Sequence, residues 1–407
     1  MDAMSAATTT VDGPPVTERS PLLGWLAVVT VMMGIFSIVT TEILPIGLLT
    51  SIGSSFTISD GTAGLMMTTP GYLAAVSAPT LTVATARLDR RVMLCAFMAL
   101  LAAANLLAAA APAFWVMLLS RVLVGITIGG FWSIAAGLAD RLVPPGSVTR
   151  ATAVIFSSVP LGSVLGVPAG TLVGDLAGWR VSFVVMGVLT SAVLAATLAF
   201  VPSLPAERAT RLNVLRGMFR GTNTRVGLLL TFLIVMAHFG AYTYVTPFLE
   251  QVTHVSSSMI TVFLLTYGAA GIAGNFVGGS LVGRFPRATF GIAAGMIACA
   301  TLLLPVLGRW DAGALALLVL WGIGYGTIPV CSQTWFAKSA PHAPEAASVL
   351  FTASFQATLS TGALVGGITV DNFSPSTVMV LGGIAAVLMT FTVWLHFAKR
   401  VPWPETA

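Results

Sequence analysis

The stretch "LGSVLGVPAGTLVGDLAGWR", residues 161–180, carries glycine at 162, 166, 170, 174 and 178, with Pro168 set among them. In a soluble helix each of these glycines costs about 1 kcal/mol relative to alanine. A four-residue period on a 3.6-residue helix drifts slowly, so the five form a gently winding flat stripe. Lipid repays that cost. Tails are as apolar as leucine, so helices associate there through close van der Waals contact, and a bare backbone face permits it.

The rest of the chain supplies such a setting. Of its 407 residues, 56% are hydrophobic and only 8% are charged, against roughly 25% charged in an ordinary soluble domain. Apolar runs of about 20 residues, long enough to cross hydrocarbon, recur along the whole length. The chain therefore reads as an all-α, polytopic membrane protein with the lipid bilayer as its principal surroundings. Cys95, Cys299 and Cys331 lie inside apolar segments at unrelated spacings and read as small packing residues. The polar first 20 residues contain no apolar core, and the first hydrophobic segment is of full spanning length. It reads as a retained helix and not a signal peptide.

Charges, glycines and prolines divide the chain into twelve spans, near 24–49, 61–85, 92–111, 114–139, 149–174, 180–201, 226–249, 258–282, 288–307, 312–336, 345–370 and 376–398. The implied organisation is a tail (1–23), a six-helix bundle (24–201), a polar linker (202–225), a second six-helix bundle (226–398) and a tail (399–407). With the N-terminus inside, the tails and even-numbered loops hold sixteen positive residues: Arg19, Arg87, Arg90, Arg91, Arg141, Arg150, Arg208, Arg211, Arg216, Arg220, Arg225, Arg284, Arg287, Lys338, Lys399 and Arg400. The opposite side has Arg180 and Arg309 alone, and Arg121 falls within a span. This bias predicts cytoplasmic termini in a cell (inner) membrane. It also accounts for the +5 net charge without any nucleic-acid partner, since no basic patch with interleaved aromatics occurs.

The two halves repeat. At an offset of 196, Pro145 falls on Pro341, Gly166 on Gly362, Gly170 on Gly366 and Asp175 on Asp371. Arg87 and Arg90 fall on Arg284 and Arg287 at 197; Thr41 and Pro45 fall on Thr243 and Pro247 at 202. Six spans per half means that both copies enter from the same side. Two parallel six-helix repeats are the architecture of a rocking transporter with its site between the halves, near the midplane.

Several stretches resemble the major facilitator superfamily, over essentially the whole length, and within it the twelve-span drug/proton antiporters. "TVATARLDRRVML" (82–94) resembles the loop motif between spans two and three, with Thr82 at the leading glycine, Ala86 at the usual aspartate and Asp89 at the second glycine. Its weaker copy, "GSLVGRFPRA" (279–288), keeps Gly279 and Arg284. "LLSRVLVGITIGGFW" (118–132) resembles the fourth-span motif with a buried arginine, and the glycine stretch resembles the fifth-span motif of exporters. "TTEILPIGLL" (40–49) and "AHFGAYTYVTPF" (237–248) look like arabinose-type sugar exporters, whereas "GGFWSIAAGLADRLVPP" (129–145) and "SLP" (203–205) look like a purine-ribonucleoside exporter. The resemblance implies that Gly162, Gly166, Pro168, Gly170 and Gly174 pack across the interface between the halves and help to seal the outer side. A plain helix–helix contact is the other reading of that face. The resemblance also gives Arg87, Asp89, Arg90 and Arg91 a gating role.

Charged side chains in mid-bilayer are costly, so they are rare and paired or cavity-facing. Glu42 and Arg121 each stand about seven residues, roughly 11 Å, from the outer ends of spans one and four. Equal depth permits contact, and two readings follow: Glu42 as a proton carrier with Arg121 as its charge partner, or a static ion pair pinning two helices. His238, with Tyr242 one turn on, is a candidate proton relay, polar-substrate ligand or hydrogen-bonded packing residue. Arg121, Gly125, Ile128 and Trp132 share a face, which sends Trp132 toward the cavity if Arg121 faces it. Tyr244, Tyr267, Asn275, Tyr325, Gln333 and Gln356 are further polar candidates for substrate binding, or for bonds between helices.

No GxxxxGK[ST] loop, HExxH or GxSxG occurs, so neither an ATP site nor an enzyme is expected. No histidine or cysteine pair stands at metal-ligand spacing, so neither a metal nor another cofactor is expected. The expected protein is a monomeric proton-coupled exporter of a small polar or amphipathic solute: a sugar, a nucleoside or a drug. Import, or sensing without flux, is the alternative.

Overall fold

The computed structural model describes residues 21–85, 87–135, 138–205, 222–339 and 344–398. Most of the two predicted tails, Ala86 and residues 206–221 of the linker lie outside the described residues, and with them Arg19, Arg208, Arg211, Arg216, Arg220, Pro341, Lys399 and Arg400. Among the described residues the protein is helical throughout, with no strand. Twelve long helices follow the predicted spans: α1 (Pro21–Phe56), α2 (Leu65–Ala84), α3 (Arg90–Ala109), α4 (Phe114–Ala135), α5 (Val148–Ala177), α6 (Trp179–Phe200), α7 (Thr222–Tyr242), α8 (Ser257–Val282), α9 (Pro286–Leu307), α10 (Asp311–Ser339), α11 (Pro344–Asn372) and α12 (Pro375–Ala398). Eleven of them are apolar and long enough to cross a membrane. The exception is α2, whose Thr, Ser and Pro residues dilute its 20-residue length. It packs between α4 and α11. With an even number of crossings, α1 begins and α12 ends on one face, here called the terminus side; the other face is the distal side.

The glycine stripe of α5 does not face the other half. Its glycines pack on α1 of their own half at matching four-residue intervals. A Cβ added at Gly162 would stand 3.1 Å from Val39 Cβ, and one at Gly166 would stand 3.1 Å from Thr40 Cα. Gly170 and Gly174 are covered by Leu44 and Leu48. The expected seal across the halves is thus corrected to packing within one half. The stripe fixes how closely a neighbour can come, and the neighbour it admits is α1. The second half repeats the relation: Gly362 lies on Met236 and Gly240 of α7, and Gly366 on Gly240 and Tyr244. Gly178, the fifth glycine, lies beyond the helix with φ +87°. It joins α5 to α6 by a single residue in a conformation that side-chain-bearing residues rarely adopt.

Contacts between the halves use other glycines. Gly61, in a short turn of helix (Asp60–Ala63), meets the Gly367 carbonyl and Asp371 of α11. A Cβ at Gly71 of α2 would stand 2.7 Å from the Gln356 carbonyl, and one at Gly268 of α8 would stand 2.8 Å from Val164 Cα on α5. Here, too, absent side chains let backbones approach closely.

Candidate functional site: a cavity between the halves

Between the halves lies a cavity of about 500 Å³, within the range of small-molecule sites. Val39, Glu42 and Ile43 of α1, Trp132 of α4, and Phe156, Val159 and Ser163 of α5 contribute to its lining from the first half. Phe239 of α7, Tyr325 and Gln333 of α10, and Thr352, Phe355 and Gln356 of α11 contribute from the second. Glu42 is 7% exposed and Gln356 4%. The Gln356 amide, at Nε2, donates to Glu42 Oε1 at 2.9 Å, joining the halves.

Every hydrogen bond between the halves for which both partners are described lies at this pair or on its distal side. Ser360 donates to the Thr68 carbonyl at 2.8 Å, and Tyr72 and Thr361 are 3.1 Å apart. Thr246 donates to the Ile46 carbonyl at 3.0 Å, and Thr50 to Glu250 at 3.0 Å. Gln251 donates to Asp60 at 3.1 Å, while Asp371 accepts from Ser59 at 2.6 Å and from the Gly61 N–H at 2.8 Å. The distal end is therefore bolted shut, and the cavity lies on the terminus side of the bolts.

Glu250, Asp60 and Asp371 place carboxyls in these bolts, the first two outside the spans. Burial pushes the Asp60 carboxyl up, against the Gln251 bond, and Asp371 adds to the rise. Burial also raises Glu250, against the Thr50 bond, with Asp60 and Asp175 adding to the rise. A carboxyl raised in the closed state favours closure below its ordinary range and withdraws that support as pH climbs through the raised value. Distal closure, followed by a spectroscopic distance across that end, should tighten toward acid and loosen from the ordinary carboxylate range upward. Asp60→Asn should flatten the response.

Arg121 is fully buried, and its guanidinium meets Glu42 through the backbone instead of the carboxylate. Nη1 donates to the Thr41 carbonyl (2.9 Å), Nη2 to the Glu42 carbonyl (2.8 Å) and Nε to the Met66 carbonyl (2.9 Å). The reason lies four residues on. Pro45 and Pro70 have no N–H, which orphans the carbonyls of Thr41 and Met66 inside their helices. Arg121 supplies donors to both, so a single side chain from α4 closes two proline gaps. Orphaned buried carbonyls cost about 1–3 kcal/mol each. Arg121→Leu should therefore destabilise the purified protein severely, by several times the loss in Arg121→Lys, which keeps some of the donors. Thermal unfolding in detergent measures both.

Residues 24–357 match the family model described as Major Facilitator Superfamily. This chain belongs to that superfamily. It is similar in fold to a crystal structure of a bacterial homologue of the human lysosomal transporter Spinster in its inward-facing, unoccupied state: 19% identity, 93% of this chain and 96% of that one covered, TM-score 0.72. The occupied inward-facing form of the same homologue gives 18%, 95%, 100% and 0.72. The human organic anion transporter MFSD10 (TETRAN) gives 17%, 91%, 99% and 0.69. The superfamily makes this a membrane transporter.

Within this superfamily member, the cavity brings together five of the residues singled out from sequence: Glu42, Trp132, Tyr325, Gln333 and Gln356. Trp132 lies against Phe156, ring centroids 6.2 Å apart. His238 is 1% exposed and one ring removed from the cavity. Tyr325 stacks on it at 3.4 Å and Tyr242 at 5.1 Å, and Trp321 Nε1 donates to its Nδ1 at 3.0 Å. Tyr267 stacks on Tyr242 at 4.5 Å in the same aromatic pile. Tyr244 is buried against α11, donating to the Ala363 carbonyl at 2.7 Å, and Asn275 is half-buried on α8 outside the cavity lining.

The loop-motif residues act within the first half. Asp89 caps α3 through the Arg91 N–H (2.7 Å) and accepts from Ser203. Burial pushes its carboxyl up, but the Ser203 hydroxyl and the N–H groups of Leu204, Arg91 and Val92 outweigh that and hold it low. Arg91 donates to the Leu198 carbonyl at 2.6 Å, the Arg90 N–H donates to the Leu204 carbonyl at 2.9 Å, and Arg87 is exposed. Sequence reasoning passed over the aromatic wall of Phe156, Phe239, Phe351 and Phe355 and the distal carboxylates. Phe351 and Phe355, the two phenylalanines of α11, one turn apart beside Thr352 and Gln356, were the available signal.

Proposed function

We propose that the protein is a proton-coupled exporter of small ring-bearing organic solutes, with its terminus side in the cytoplasm of the cell membrane. The observation that carries the reading is the 500 Å³ cavity between the halves with one acid, Glu42, at its closed end. Arginine bias places the terminus side inside, so the state described here receives solute from the cytoplasm. Glu42 takes a proton when the halves rock and open distally, and gives it up on return. Trp132, Tyr325, Gln333 and Gln356 hold the solute meanwhile. Arg121 supports this by fixing the α1 backbone around Glu42 while leaving the carboxyl to the cavity.

Among sugars, nucleosides and drugs, the aromatic wall favours flat rings that stack over a sugar alone, which needs more polar partners than the lining offers. An organic anion, as in the name of one structural neighbour, finds no cationic side chain among the described residues of the lining. Proteoliposomes with an internal pH indicator test the function. A solute gradient should drive counter-movement of protons for some member of a panel of sugars, nucleosides and antibiotics, and proton movement in the same direction as solute would overturn export by exchange.

A further inference from the structure

His238 lies one ring behind the cavity, in a column of aromatic side chains drawn from α7, α8 and α10. Tyr325, part of the cavity lining, stacks on the imidazole with the two planes 7° apart. Tyr242 stacks on it at 19°, and Tyr267 stacks in turn on Tyr242. Across the column stands the indole of Trp321, fully buried and edge-on to His238, Tyr242 and Tyr267 at 82°, 80° and 82°. Its Nε1 donates to His238 Nδ1 at 3.0 Å.

An indole N–H donates and accepts nothing. A ring nitrogen bonded to it is therefore bare, which puts the proton of the imidazole on Nε2. A relay takes a proton on one nitrogen while releasing one from the other. Here Nε2 is already protonated, and Nδ1 is filled by a group that gives up no proton in exchange. Charging the ring would set an Nδ1–H against the indole N–H and strand a buried donor. The indole is wedged among three rings and has no room to turn away. Nor does a nearby charge favour a cation. The titratable groups that face the ring are Tyr242, Tyr267 and Tyr325. Glu42 lines the cavity, from which Tyr325 screens the imidazole, and Arg121 has its three nitrogens on carbonyls. Among the surrounding helices, α7, α9, α10 and α11 carry charges only near their ends (Arg225, Arg287, Asp311, Lys338, Glu345 and Asp371), and α8 and α12 carry none.

We propose that Trp321 is a positioning residue that holds His238 neutral, with its proton on Nε2, and so keeps it out of the proton path. The imidazole then serves as a platform. The bond at Nδ1 fixes its plane, and Tyr325 lies flat on that plane where it meets the cavity. The inference rests on the role given to Glu42 above and deepens it: proton exchange is left to that carboxyl, one proton for each cycle of rocking. A relay shared with His238 would add a second.

Nitrogen NMR of the full chain in detergent, with isotope-labelled histidine, tests it. The His238 signals are those lost in His238→Gln and, independently, those that survive when His254, His342 and His396 are replaced. With Trp321 in place the ring should show a bare Nδ1 and a protonated Nε2, unchanged from about pH 5 to 8. Trp321→Phe keeps an aromatic ring and removes the donor. The Nδ1–H form should then rise about tenfold relative to the Nε2–H form, the gain of one hydrogen bond being lost, and charge should appear on the ring toward acid. An Nδ1–H form or an imidazolium in that range with Trp321 in place overturns the proposal, as does a Trp321→Phe spectrum that keeps the single form. Should Trp321→Phe fail to fold, the spectrum with Trp321 in place still decides the state of the ring. Neither spectrum involves solute or flux. A failure of proton-linked export therefore defeats the exporter reading alone, and a His238 that takes up protons with Trp321 in place defeats this inference alone.

Discussion

Glu42→Gln should abolish proton-driven flux while leaving solute binding by neutral contacts and membrane insertion intact. Glutamine matches glutamate in size, and its amide can pair with Gln356 across the same gap, so the contact between the halves survives. What disappears is a group that changes charge. In reconstituted vesicles an imposed pH gradient should drive no more solute through the variant than through protein-free lipid, whereas exchange of labelled for unlabelled solute, which needs rocking but no net proton, should continue. The pH dependence of solute affinity should flatten in parallel. Normal gradient-driven flux in Glu42→Gln would remove Glu42 from the proton path altogether and leave it as a partner of Gln356.

The second large effect separates two classes of glycine. Gly61→Val places a branched side chain against the Gly367 carbonyl and Asp371. Neither the backbone oxygen nor the bolt it belongs to can yield without opening the distal end. The variant should insert and fold, yet populate the distally open state, lengthening a distance measured between labels at exposed Ser54 and Asn372 on a background lacking the three free cysteines. Gly166→Val loads the contact with Thr40 inside one half, an overpacking that costs about 1–3 kcal/mol. It should lower thermal stability with little change in that distance. Should Gly166→Val open the distal end and Gly61→Val leave it closed, the division between sealing and structural glycines drawn here would be reversed.

These contrasts show where sequence was legible. Twelve helices could be read because each apolar run answers to the thickness of hydrocarbon, a property of the segment alone. The repeat at offsets near 200 was legible for a similar reason: glycines at 166, 170, 362 and 366 keep their residue type because each pair meets the first helix of its own half. The partner of the stripe was not legible, since periodicity describes the shape of a face and is silent on what lies against it. Arg121 gave the depth of its contact correctly, and the depth argument led to the Glu42 carboxylate. The nearer demand came from carbonyls freed by Pro45 and Pro70, which a count of orphaned acceptors along each helix would have exposed. The cavity lining takes five of the residues chosen from sequence and sets beside them five phenylalanines, which in an apolar chain carry no mark until the fold places them.

The clamp on the two proline sites has a mechanical corollary. Proline breaks are the natural places for a helix to flex, yet Arg121 braces both at once and ties α1, α2 and α4 into a single strut. Bending at Pro45 independently of Pro70 would strip that side chain of a carbonyl. The lever that turns chemistry at Glu42 into displacement at the far rim is therefore stiff, and the work of moving solute falls on the seam beside it.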